Sequence, residues 1–193
     1  IGLDNIALRD PNISPHTRDE LEKIGSSARH LLSLINDILD MSRIESGRMV
    51  LKEEEFSFKE TIDQINTIVA GQCDDKKLIY DSRILGETDE YFIGDPLRLR
   101  QIIINILGNA VKFTDPPGTV TFTVVQSDDT AESRMLHFTM KDTGVGMDEA
   151  FLPKLFDPFA QEDATTTNRY GGSGLGMAIT KNIVELMNGT ISV

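Results

Sequence analysis

The stretch Asp95 to Thr114, DPLRLRQIIINILGNAVKFT, constrains this chain more than any other, because it reads as one helix with two dissimilar faces. Asp95 is a favoured N-cap and Pro96 a favoured first helical residue, so the start is well signalled. At helical spacing Leu99, Ile102, Ile103, Ile106, Ala110 and Phe113 form an apolar stripe wide enough to pack on a sheet. Arg98, Gln101, Asn105, Asn109 and Lys112 form the other face. A merely solvated face would favour Glu and Lys, whereas two mid-helix Asn and Gly108 each cost roughly 0.5–1 kcal/mol of helix propensity. Broken local rules point to a site. Amides four residues apart, with a Lys one turn further on, suit a metal-bridged phosphate chain: amide oxygens ligate a hard cation and the ammonium meets a phosphate. The face is read as nucleotide-binding, against the alternative of a structural polar stripe.

Composition narrows the partners. The 193 residues allow one domain, or one with a small appendage, and 39% hydrophobic with 26% charged residues is a globular balance. A net charge of −12 and a pI of about 4.6 leave no basic surface for nucleic acid or acidic lipid. Cys73 is the only cysteine, which excludes an internal disulfide and a zinc site built on cysteine clusters. No segment approaches about 18 apolar residues and no signal-peptide succession opens the chain, so the expected location is cytoplasmic, without membrane contact in this segment. His16, His30 and His137 lack ligand spacing and are read as structural. Asn12-Ile13-Ser14 and Asn188-Gly189-Thr190 match the glycosylation triplet by chance on this reading.

Along the chain, Ile1 to Arg9 is a helical fragment, and Asp10 to Pro15, with two prolines and two Asx residues, is a turn. From about Pro15 to Ser46 runs a long helix. Its apolar positions Leu21, Ile24, Ala28, Leu31, Ile35 and Ile38 step at heptad spacing, with Leu32 and Leu39 widening the stripe, and such a seam needs a partner. Gly47 closes the helix and a domain boundary is expected near residue 50. Leu51 to Phe56 is expected as a strand and Phe58 to Gln72 as an amphipathic helix. Lys77 to Leu85 and Glu90 to Gly94 follow as short strands, then Val120 to Val125 and Met135 to Lys141 as a hairpin. That hairpin ends in Asp142-Thr-Gly-Val-Gly-Met147, where Gly144 and Gly146 allow close backbone approach and Asp142 can accept from an exocyclic amine. Leu155-Phe-Asp-Pro-Phe159 precedes Ala160 to Asn168, polar and aperiodic like a mobile lid. Gly171-Gly172-Ser173-Gly174-Leu175-Gly176 then opens a helix through Met187, offering backbone N–H groups and a helix dipole to phosphate. A lid precedes these glycines where a dinucleotide fingerprint would need a strand, so a Rossmann reading fails its context.

Four motifs thus stand in order: NILGNAVKFT, DTGVGM, LFDPF and GGSGLGMAI. Together they resemble the N, G1, F and G2 boxes of the catalytic ATP-binding domain of sensor histidine kinases. Residues 15 to 50 resemble the second helix of that family's dimerisation and phosphotransfer hairpin. The resemblance implies an α+β fold, a two-layer α/β sandwich of the Bergerat ATP-binding type, with helices on one face of a mixed sheet. A partial helical hairpin of a dimeric four-helix bundle would precede it. Residues 1–50 would be the hairpin part and 51–193 the catalytic domain, without its final strand and so less stable than the intact domain. ATP and Mg²⁺ are the implied ligands, a second copy and a response-regulator receiver domain the implied partners.

The resemblance also implies residue roles. Asn109 would ligate Mg²⁺ with Asn105 beside it, and Lys112 would contact phosphate. Phe113 would lie against the adenine, Asp142 would bind the adenine amino group, and Phe156 would belong to the nucleotide site. Gly144 and Gly146 would shape the adenine pocket, while Gly172, Gly174 and Gly176 would hinge the lid and meet phosphates, with Leu175 among the nucleotide-binding residues. Arg169 matches a lid arginine that stabilises charge on the transferring phosphoryl group. Gyrase-type and Hsp90-type ATPases carry a Glu general base where this chain has Asn105, and an amide cannot take a proton from water. Phosphoryl transfer to a protein side chain is therefore favoured over hydrolysis. The family's acceptor box is expected to lie before this chain begins, and His16, in SPHTRDE, does not match it, so self-phosphorylation is not expected. The alternatives are an ATPase or serine kinase of the same superfamily and a catalytically silent dimerisation module.

Overall fold

The computed structural model describes residues 2–10, 12–128, 133–161 and 173–193. The chain divides into two compact units, Ile1–Met49 and Val50–Val193.

In the first unit, helix α1 (Gly2–Ala7) packs on helix α2 (Pro15–Glu45). Ser14 caps α2, its Oγ accepting from the Thr17 N–H at 3.0 Å, with Pro15 following. At the other end Gly47 adopts φ +63°, which only glycine takes without strain, and the N–H groups of Gly47 and Arg48 turn back to the carbonyls of Ile44 and Arg43. The Arg18 guanidinium donates to the Leu8 and Asp10 carbonyls and so ties the intervening turn to α2. His16 lies in the first turn of α2 and pairs with Glu20 at 3.3 Å. The apolar seam is open: Ile24 and Leu31 are 59% and 58% exposed, and Leu32, Ile35, Ile38 and Leu39 are also exposed.

The second unit begins with strand β1 (Glu54–Ser57) and helix α3 (Phe58–Lys76), then strands β2 (Ile79–Leu85) and β3 (Tyr91–Gly94). Helix α4 (Pro96–Phe113) is followed by strands β4 (Thr119–Asp128) and β5 (Arg134–Asp142), a 3-10 turn (Leu152–Lys154) and helix α5 (Gly176–Leu186). Strand β4 pairs parallel with β2 and antiparallel with β5, a mixed three-stranded sheet, while β1 and β3 pair apart as an antiparallel ribbon. One face of the sheet takes the helices. Val120, Phe122 and Val124 of β4 are fully buried, and on β5 half-buried Leu136, Phe138 and Met140 alternate with exposed neighbours. Against them lie Ile62, Ile65 and Val69 of α3 and Ile103 and Leu107 of α4, completing two layers around one core. Phe58 and Phe92, with centroids 5.3 Å apart, close the ribbon end of that core.

Several boundaries and faces differ from the sequence reading. The first strand starts at Glu54 rather than Leu51, and α3 runs a turn past Gln72. On α4 the buried positions are Ile102, Ile103, Leu107, Ala110 and Val111, while Leu99, Ile106 and Phe113 are only half-buried. The stripe is rotated because α4 packs against α3, α5 and the sheet at once, so burial follows three neighbours rather than one. No described helix is long and apolar enough to cross a membrane.

Candidate functional site

Helix α4 is fixed at its start by one carboxylate. Asp95 Oδ1 accepts from the Arg98 N–H at 3.0 Å, and Oδ2 accepts from the Lys52 N–H at 3.1 Å, so the buried cap also holds the segment before β1. Along the polar face Arg98 donates to Gln101 Oε1 at 2.6 Å. One turn on, α5 crosses α4 at Asn105. The Asn105 Nδ2 donates to Thr180 Oγ1 at 2.8 Å, and a Cβ added at Gly176 would lie 2.5 Å from Asn105 Oδ1. The first turn of α5 therefore abuts the asparagine face of α4, and glycine is what permits it. Asn109 is half-buried, and its amide makes no side-chain hydrogen bond among the described residues. The Asn105 nitrogen is engaged in joining the helices, and the oxygens of both amides are acceptors of the kind a hard cation takes.

The end of α4 meets the first glycine motif. Asp142, exposed at the end of β5, turns the chain by accepting the Gly144 N–H at 2.8 Å. A Cβ at Gly144 would lie 2.5 Å from the Phe113 carbonyl oxygen, and the Val145 N–H donates to that oxygen at 3.3 Å. Gly144 is thus required by the protein's own backbone, a different reason from the expected ligand approach. Gly146, by contrast, has φ +71° and open space around it. The Lys112 Nζ lies 4.7 Å from the centre of the Phe113 ring, and burial pushes the Lys112 ammonium below the usual lysine value.

The second glycine motif is braced by the aromatic segment. The Phe159 N–H donates to the Gly174 carbonyl at 3.0 Å, and both residues have positive φ, +63° and +69°. A side chain at Gly174 would strike the Phe159 backbone at 2.9 Å. Phe159 is 70% exposed, whereas Phe156 is half-buried with Lys181 of α5 5.8 Å from its ring centre. The Leu175 side chain is fully buried, so what it offers a ligand is backbone. Arg169, Gly172 and most of the expected lid, residues 162–172, lie outside the described residues.

Sequence reasoning missed Thr180, which partners Asn105 from one turn into α5, and Thr114, fully buried, whose Oγ1 donates to the Ala110 carbonyl at 2.7 Å. Thr180 stands four residues after Gly176, the spacing that puts both on one face toward Asn105. Nothing in the sequence says which helix that face meets.

A mixed sheet covered on one face, with an asparagine-bearing helix crossed by the glycine-opened start of another, defines a two-layer α/β sandwich of the ATPase and kinase class. The chain belongs to the histidine kinase-, DNA gyrase B- and HSP90-like ATPase family, whose model matches residues 94–193. The His Kinase A phospho-acceptor model matches residues 5–47. The chain is 38% identical over 192 residues to the signal transduction histidine-protein kinase BarA of Escherichia coli (strain K12), a match covering all of this chain and 21% of BarA. It therefore spans about a fifth of that relative's length. Among solved structures it is similar to full-length ShkA in complex with AMPPNP, with a TM-score of 0.72 and 27% identity, covering 94% of this chain and 36% of ShkA. Histidine kinase ThkA in complex with response regulator TrrA shares the fold, with a TM-score of 0.62 and 21% identity over 97% of this chain and 50% of that one.

Proposed function

We propose that residues 51–193 are the Mg-ATP-binding kinase core of a sensor histidine kinase and residues 1–50 part of its dimerisation and phosphotransfer hairpin. In the parent protein the γ-phosphoryl of ATP passes to a histidine and then to a response-regulator aspartate. The relatives named above are histidine kinases, and one is held with AMPPNP and another with a response regulator. Asn109 holds Mg²⁺, which neutralises phosphate charge, and Lys112 meets a phosphate. Phe113 and Phe156 flank the base and Asp142 accepts from its amino group. Gly146 and the backbone of Gly174, Leu175 and Gly176 line the pocket and the phosphates, and Gly172 and Arg169 join them from the lid. The half-exposed seam of α2 serves a second copy.

The observation that carries the reading is the crossing at Asn105. An amide stands there with its nitrogen on Thr180 and its oxygen against Gly176, so the position supplies no base to activate water. That favours transfer to a protein acceptor over hydrolysis. A non-hydrolysable ATP analogue with Mg²⁺, at about 100 times its dissociation constant, adds ~2.7 kcal/mol and raises the melting midpoint by roughly 5–10 °C. The rise weakens without Mg²⁺ and in Asp142→Asn. No rise in a folded sample would sink the nucleotide site, and sustained phosphate release without an acceptor would replace the kinase reading with an ATPase.

A further inference from the structure

The last four carbonyls of an α-helix have no donor within the helix. In α4 these belong to Ala110, Val111, Lys112 and Phe113, and each is met from outside. Thr114 Oγ1 serves Ala110 and the Val145 N–H serves Phe113. The two between them are served by a single ammonium: Lys76 Nζ donates to the Val111 carbonyl at 3.0 Å and to the Lys112 carbonyl at 2.7 Å. Lys76 is the last residue of α3, and its ammonium also lies 3.8 Å from the Asp115 carboxylate. It is thus a cation on the negative end of the α4 dipole, bonded to the backbone of the turn that carries Lys112 and Phe113. A charged donor shared by two carbonyls fixes that turn more firmly than a neutral cap would, because each bond is charge-assisted. Lys76 lies outside both stretches matched by the family models.

We propose that Lys76 is a positioning residue for the nucleotide site: it locks the final turn of α4 and thereby sets the placement of Lys112 and Phe113. This rests on the reading of α4 as the nucleotide-binding helix. Lys76 touches the backbone of that turn, so its effect on ligand is transmitted through the turn.

The test uses the 193-residue chain with Lys76→Met, which keeps the stem but not the charge, and Lys76→Arg, which keeps charge and donors. Without nucleotide, amide hydrogen exchange in the last turn of α4 should quicken in Lys76→Met while exchange at Ile102 to Ile106 stays as in the native chain. Affinity for the ATP analogue with Mg²⁺, measured far below the melting midpoint, should fall about tenfold in Lys76→Met and return to near native in Lys76→Arg. A lysine that only stabilised the fold would lower the midpoint and leave that affinity untouched, which overturns the proposal. If the native chain binds no nucleotide, the functional reading fails instead, and unaltered exchange in Lys76→Met alone overturns the capping of the turn. If Lys76→Met does not fold, Lys76→Gln takes its place with the same outcomes.

Discussion

Among single residues, three glycines meet different surroundings in the fold. Gly176 makes room for Asn105, so Gly176→Ala should break the Asn105–Thr180 bond and cost about 1–3 kcal/mol, read from the urea midpoint, with weaker nucleotide binding. Gly144 makes room for a carbonyl of its own chain. Gly108, mid-helix on α4, has nothing within 4 Å of an added Cβ, so Gly108→Ala should raise stability by roughly 0.5–1 kcal/mol in the same assay. Lys112 brings a pH dependence. Its folded pKa lies below 10.5 because burial penalises the charge, so between the folded and unfolded values the unfolded chain binds more protons and stability rises with pH. A bound phosphate favours the charged form, so affinity for the ATP analogue should decline with rising pH before 10.5 is reached. Lys112→Met should flatten that decline in a binding titration across the alkaline range.

In the individual elements, the bounds of α4 were legible almost residue for residue, because its Asp-Pro start is a local signal. Which of its residues are buried was not, since Leu107 and Val111 are covered only by neighbours distant in sequence. Thr114→Val should leave the Ala110 carbonyl without a donor and lower the melting midpoint, at a cost of about 1–3 kcal/mol, with little change in the bounds of α4 by circular dichroism. The two short strands around α3 and before α4 were foreseen, but not that they pair with each other away from the main sheet. Helix α2 announces its seam through heptad spacing alone. Leu31→Glu should abolish any dimer of the chain in sedimentation equilibrium and leave the melting of the second unit unchanged.

At the scale of the whole molecule, the described contacts gather into units that meet between Met49 and Val50. Residues 50–193 expressed alone should melt cooperatively and bind the ATP analogue with the affinity of the longer chain; a tenfold loss would assign part of the site to the first unit. Caps, periodicity and glycine placement act within a few residues, so the elements, the paired asparagines, the glycine-opened helix and the resemblance they compose could be read locally along the chain. Long-range packing is what brings Asn105 onto Thr180 while Asn109 stays open, sets Gly144 against the Phe113 carbonyl, and lets Lys76 complete the end of α4. Those depend on backbone polar groups needing partners wherever the packing leaves them, and the packing is set by parts of the chain far apart in sequence.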